Sequence, residues 1–191
     1  MNAPFRIIDT PERVRLSVDD FLLLNDSGAF AHYTKTELID GDIYGMNAQH
    51  SRHARAKSRL HLSLALRLRE IGSDLEAIVE VTVRAAGDSA PEPDIVLTRF
   101  GGDREVPADT VALVVEVADT TLATDLGRKT ALYAAAGIPE YWVVDLDAGR
   151  VVLHHGPGAG GYASRTDVRL GKTLVSAAVP GLTVESDDLV S

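Results

Sequence analysis

Val111-Ala112-Leu113-Val114-Val115-Glu116-Val117 is an apolar, β-branched run interrupted by a single acid, and Tyr141-Trp142-Val143-Val144-Asp145 is a second such run. Between them, Thr124 to Ala136 has the composition of a helix that Gly137 and Pro139 stop. Short apolar runs bounded by turn-formers read as buried strands. A strand, helix, strand passage over 111–145 predicts a parallel pair joined by a right-handed crossover. Upstream, Pro93-Asp94-Ile95-Val96-Leu97 reads as another buried strand, one that can pair antiparallel with 111–117. The expected fold class is α/β, with a mixed β-sheet core flanked by helices.

Working outward, Ser17 followed by Asp20 predicts a capped N-terminal helix that ends near Asn25–Gly28. Asp40-Gly41 between Lys35–Ile39 and Asp42–Tyr44 predicts a β-hairpin in which Glu37 lies across from Tyr44. From Ser51 to about Ile71 the leucines alternate as in a strand, yet the segment is long and rich in Leu, Ala and Arg, so helix propensity prevails. On that helix Leu60, Leu64 and Leu68 form one stripe and Leu62 and Leu66 another, which predicts burial on two sides. Leu75–Arg84 reads as a strand, 100–109 and Gly156–Gly161 as loops, and Val151–His154 as the return strand of a hairpin. One domain is expected over 1–191: an irregular lead-in over 1–16, a core over 17–155, and a C-terminal loop and closing segment over 156–191.

The 191 residues suffice for one core, and the absence of cysteine removes disulfides and thiolate metal sites and suits a reducing cytoplasm. No apolar stretch approaches membrane-spanning length, and Met1–Asp9 has no secretory-signal pattern. A net charge of −9 argues against indiscriminate nucleic-acid binding. Ile43 to Arg69, however, holds no acid and carries Arg52, Arg55, Lys57, Arg59, Arg67 and Arg69. That element is either a phosphate footprint or a solvated face paired with acids elsewhere, and charge alone favours the second.

Asp94 opens one strand and Glu116 closes another, so antiparallel pairing brings two carboxylates to one sheet edge. A hard divalent cation relieves that repulsion, and oxygen-only ligands suit Mg²⁺ or Mn²⁺. On spacing alone, exposed strand ends are the favoured explanation of the pair. Asp125, Lys129 and Tyr133 recur at four-residue intervals on the following helix, either as a surface salt-bridge stripe or as a stripe over the same sheet edge. There a lysine can orient a metal-bound water or offset charge in phosphoryl transfer. Tyr133 reads equally well as core packing. Glu80 is a spare acid.

Glu116-Val117-Ala118-Asp119-Thr120-Thr121, with Asp125, Lys129, Tyr133 and the block Gly137-Ile138-Pro139-Glu140-Tyr141-Trp142-Val143-Val144-Asp145, resembles the bacterial Uma-two family of restriction-endonuclease-like proteins, which is placed in the PD-(D/E)XK nuclease superfamily. Glu37–Ile43, Ser51-Arg52-His53, Pro93-Asp94 and Pro180-Gly181-Leu182 extend the resemblance over about 17–190. It implies a restriction-endonuclease-like core with Asp94 and Glu116 as metal ligands, and by position Glu37 as a third acid. The superfamily pattern expects lysine two residues after the second acid, where this chain has Ala118, and Lys129 is the implied substitute. His53 matches the family and is held, with Tyr133 and Asp125, as a secondary candidate.

The expected function is a Mg²⁺-dependent (or Mn²⁺-dependent) endodeoxyribonuclease that acts on DNA as a homodimer, with Glu37, Asp94, Glu116 and Lys129 as catalytic residues. Two alternatives stay open. One is a non-catalytic nuclease-like module that binds nucleic acid or a protein, favoured by Ala118 and the acidic charge. The other is a phosphoesterase acting on RNA or a small phosphate ester.

Overall fold

The structure, a computed structural model, describes residues 10–46, 50–85 and 87–190. Helix α1 (Val18–Asp26) starts at the expected capping box, in which Ser17 Oγ accepts the Asp20 N–H and Asp20 Oδ2 accepts the Ser17 N–H, each at 3.1 Å. Strands β1 (Lys35–Ile39) and β2 (Asp42–Met46) form the predicted hairpin with Glu37 opposite Tyr44. Asp40 and Gly41 both take positive φ, +51° and +77°, as the tight turn requires. Leu38 exchanges main-chain hydrogen bonds with Ala90 (3.2 and 2.7 Å), which ties the hairpin to the segment leading into Asp94.

Helix α2 (Ser51–Glu70) is the long helix expected. Leu60, Leu64 and Leu68 are buried against the sheet, but Leu62 and Leu66 are 58% and 56% exposed. Two-sided burial is therefore not realised within the chain. The expected strand 75–84 is divided: β3 (Glu76–Val79) stays in the main sheet, and β4 (Val83–Arg84) leaves it. Glu80 lies at the break with φ +51°, a left-handed conformation that turns the chain.

Strand β5 (Ile95–Thr98) follows Asp94, and β6 (Val106–Pro107), inside the expected loop, pairs in parallel with β4. Strand β7 (Val111–Ala118) is buried along its whole length. The predicted helix after it begins as α3 (Leu122–Thr124), passes through a π-helical turn at Asp125–Lys129, and ends as α4 (Thr130–Ala135). Gly137, at φ +74°, closes it: the Gly137 N–H bonds Ala134 O at 3.0 Å and the Ile138 N–H bonds Tyr133 O at 3.1 Å, the Schellman pattern.

Strand β8 (Glu140–Asp145) runs parallel to β7, as the crossover predicts. Strands β9 (Arg150–Gly158) and β10 (Gly161–Arg169) form a long hairpin, so the glycine-rich loop expected at 156–161 contracts to a turn and the sheet continues past it. Strands β11 (Thr173–Val175) and β12 (Thr183–Glu185) make a separate antiparallel pair. The main sheet has the order β10-β9-β8-β7-β5-β3, with β7–β8 parallel and its other pairings antiparallel. Helix α2 packs with Leu113, Val115, Val117, Trp142 and Val144 on one face, and α4 with Val114, Tyr141 and Val143 on the other. The closing segment is held by Glu140, buried at 1% exposure, whose carboxylate accepts hydrogen bonds from Trp142 Nε1, Ser176 Oγ and the main-chain N–H groups of Ala177 and Ala178.

The two leucine stripes of α2 give a direct test. Leu64→Ala should cost about 2–5 kcal/mol of unfolding free energy in urea, and Leu66→Ala about 0.5 kcal/mol or less. Equal losses at the two positions would contradict this packing.

Candidate active site

The β5–β7 register pairs Ile95 with Val115, so Asp94 arrives beside the Glu116 end of β7. The hairpin brings in Glu37 through the Leu38–Ala90 bridge, and Glu37 Oε1 accepts the Glu92 N–H at 3.0 Å. A recess of about 460 Å³ opens there, with Lys35, His53, Glu92, Asp94, Glu116 and Lys129 among its walls.

At its centre, Lys129 Nζ donates to Glu37 Oε1 at 2.9 Å and to Glu116 Oε1 at 2.8 Å, with Asp125 Oδ1 at 4.0 Å. Tyr133 OH donates to the same Glu116 oxygen at 2.9 Å. Lysine and both glutamates are at most 5% exposed. The helical stripe Asp125, Lys129, Tyr133 thus faces the sheet edge and is not a surface salt bridge. Asp125 and Lys129 occupy the two ends of the π turn, a feature that recurs at functional sites. Arg128 points elsewhere, as expected: it bonds Asp40 Oδ2 (3.1 and 3.0 Å) and Ile39 O (3.0 Å) and lies over the Tyr44 ring, clamping the hairpin to the π turn.

Asp94 is held differently. Its Oδ2 accepts the Val117 N–H at 2.8 Å and lies 3.1 Å from His53 Nε2. Burial pushes this carboxyl up, but the His53 contact, Lys35 and the Val117 N–H outweigh it, and the net direction is down. An ionised carboxylate only accepts, so His53 Nε2 carries the proton. Asp94 Oδ1 accepts no hydrogen bond and has Lys57 Nζ at 3.9 Å. Asp125 Oδ1 likewise accepts none, while Thr121 Oγ1 donates to Asp125 Oδ2.

Several charged residues here were not singled out by the sequence reading. Lys35 lies two residues before Glu37, on the same strand face, with Nζ 3.7 Å from Glu37 Oε1; the period of two was the available signal. Glu92, framed by Pro91 and Pro93, had no periodic signal. Lys57, one turn after His53, pairs with Glu80, the spare acid, which also lines the recess. His50 pairs with Asp119 at 2.9 Å.

The walls carry six carboxylates (Glu80, Glu92, Asp94, Glu116, Asp119 and Asp125) against the lysines Lys35 and Lys129. Burial is the largest effect on Glu116 and pushes its carboxyl up to about 8, with Lys129 opposing and Asp125 adding. Burial also raises Glu92, to about 7. Lys129 is pushed down by burial and more strongly up by Glu116, Glu37 and Asp125, so its ammonium stays charged. Several acidic side chains, oxygen donors and a buried Asp94 oxygen that accepts no hydrogen bond fit a hard divalent cation. Among the described residues no group of three or more His, Asp or Glu side chains is arranged as a ready-made cage, and Glu37 spends its carboxylate on Lys129. Mg²⁺ accepts such a site, because it takes one or two carboxylates and keeps several waters.

A family model described as "Uma2: Putative restriction endonuclease" matches residues 18–187. The chain belongs to the Uma2 family. No curated protein matches it. Among solved structures, a crystal structure from Anabaena variabilis ATCC 29413, described as "a putative nuclease belonging to DUF820", matches with a TM-score of 0.70 and 17% identity, covering 92% of this chain and 97% of that one. The mixed sheet, its flanking helices and the N-terminal helix and hairpin are thus a restriction-endonuclease-like α/β fold, and the general function of this Uma2 protein is nuclease-like.

If Lys129 and Glu37 share a buried charge-assisted hydrogen bond, their substitutions must couple. A double-mutant cycle with Glu37→Gln and Lys129→Met, read by urea unfolding, should give a coupling of about 2 kcal/mol. Additive losses would show that the contact contributes nothing to stability.

Proposed function

We propose that this protein is a metal-dependent endodeoxyribonuclease that hydrolyses DNA phosphodiester bonds. The observation that carries the reading is Lys129, an ammonium reaching between Glu37 and Glu116 beside Asp94, whose Oδ1 is left without a hydrogen bond. Asp94 and Glu116 would hold Mg²⁺ or Mn²⁺. When bound, the ion supplies Lewis-acid polarisation of the scissile phosphate and a water of lowered pKa.

The chain's own residues account for the rest. The Val117 N–H and His53 restrain Asp94 Oδ2, which leaves Oδ1 for the ion. Tyr133 orients Glu116 through its Oε1. Glu37 anchors Lys129 and, as the third acid, would help hold the ion directly or through water. Lys129 orients the attacking water and offsets the charge that builds on phosphorus. Attack forms one P–O bond and breaks another, leaving a phosphate monoester on one fragment and a hydroxyl on the other. Asp125 stays secondary, a support for Lys129 from the far end of the π turn.

Cutting both strands of DNA takes two such sites, so a homodimer is the expected assembly, and the exposed Leu62 and Leu66 stripe is an available contact. No helix among the described residues is long and apolar enough to cross a membrane, and a cysteine-free chain suits the cytoplasm. A second reading, a nucleic-acid-binding scaffold that does not cut, is favoured by Ala118 in the place of the strand lysine.

Incubation with negatively supercoiled plasmid separates these readings. Mg²⁺- or Mn²⁺-dependent nicking should fall on the order of 100-fold or more in Glu116→Ala and in Lys129→Ala. Equal nicking by the variants would falsify the nuclease assignment, and DNA retention without nicking by the wild type would favour the scaffold.

A further inference from the structure

We infer that the strand cut at this site enters it unpaired, so that the preferred substrate is single-stranded or locally melted DNA. The inference rests on the nuclease reading above and adds the class of nucleic acid. Its first support is depth. Asp94, Glu116 and Lys129 are 2%, 4% and 5% exposed, at the walls of a recess of about 460 Å³, a volume typical of sites that take one small ligand. A phosphate of an intact duplex sits on a stiff rod, with another negative charge every ~1.7 Å of axis. Pressing one such phosphate against buried carboxylates presses its neighbours and the facing strand against the rim. An unpaired strand rotates about its own backbone, so a single phosphodiester can enter while those flanking it stay outside.

Charge is the second support. Six acidic side chains line the recess against Lys35, Lys129, His50 and His53. Walls of this sign tolerate one phosphodiester that arrives where a divalent ion is held, and they repel a double row of phosphates.

The test compares one labelled oligonucleotide, free or annealed to its complement, with the full chain and Mn²⁺. The free strand should be cut on the order of tenfold faster; duplex cut at an equal or higher rate overturns the inference. If neither is cut, binding with Ca²⁺ in place of Mn²⁺ decides, the free strand being expected to bind on the order of tenfold tighter and a tighter duplex overturning the proposal. Hydrolysis of bis(p-nitrophenyl) phosphate, a diester small enough for the recess, keeps the two levels apart. If it requires Glu116 while duplex is cut as fast as single strand, only the strand preference fails. If it survives Glu116→Ala, the nuclease reading fails with it.

Discussion

One buried ammonium organises this molecule. Lys129 meets Glu37, 92 positions away in the chain, and Glu116, 13 positions away, at hydrogen-bond distance and almost out of solvent. Each such pair of opposite charges attracts by about 6 kcal/mol at an effective dielectric of about 20, and each buried ion forfeits several kcal/mol of hydration. The balance is favourable only while all three partners are present, so hairpin, sheet and helix must arrive together. Arg128 reinforces the junction from outside, binding the Asp40 carboxylate and the Ile39 carbonyl one residue away from the lysine. Adjacent cations on the π turn thus hold the same hairpin, one from within the core and one from the surface.

That arrangement leaves the recess over-supplied with carboxylates. A protein selected for stability alone would pair or remove them, since like charges in a confined space oppose ionisation. Here Asp94 and Asp125 each keep an oxygen without a hydrogen bond, and Glu92 and Glu116 are pushed to about 7 and about 8. Frustration of this kind, gathered among several ionisable groups in one recess, points to a functional site. The neighbouring Glu140 provides an internal contrast. It is as deeply buried, yet its carboxylate accepts four hydrogen bonds and serves to fasten the closing segment to β8.

How much of this could be read from the residues depended on whether the signal was local. Ser17 and Asp20, Asp40-Gly41 and Gly137 are local devices, and each does in the structure what its chemistry predicts. Asp94 and Glu116 were readable because β-branched runs set strand ends, and strand ends set the meeting point. Glu80 defeated that logic: its left-handed backbone bends a seemingly continuous strand out of the sheet, and nothing in Leu75–Arg84 encodes the bend. The Gly156–Gly161 segment misled in the opposite sense: Gly156 and Gly161 take positive φ, which lets the strands of the hairpin continue past them to a tight turn. Glu92, Lys57 and the Arg128 clamp depend on contacts between distant segments and leave no periodic trace.

The position of the lysine follows from the packing around Ala118. That residue lies on the Glu116 face of β7, 2% exposed, in the apolar cluster between the sheet and the helix that follows β7. A lysine on the strand at 118 would have to displace the apolar neighbours that bury this face of β7. With Ala118 small, the helix closes onto the sheet, and its preceding turn comes within reach of Glu116. The π turn at Asp125–Lys129 then directs the ammonium into the recess from the helix side, while Tyr133, one turn later, still reaches the same carboxylate oxygen. Loss of the strand lysine and gain of the helix lysine are therefore two aspects of one packing solution, in which close helix–sheet contact at Ala118 brings the charge to the carboxylates by another route.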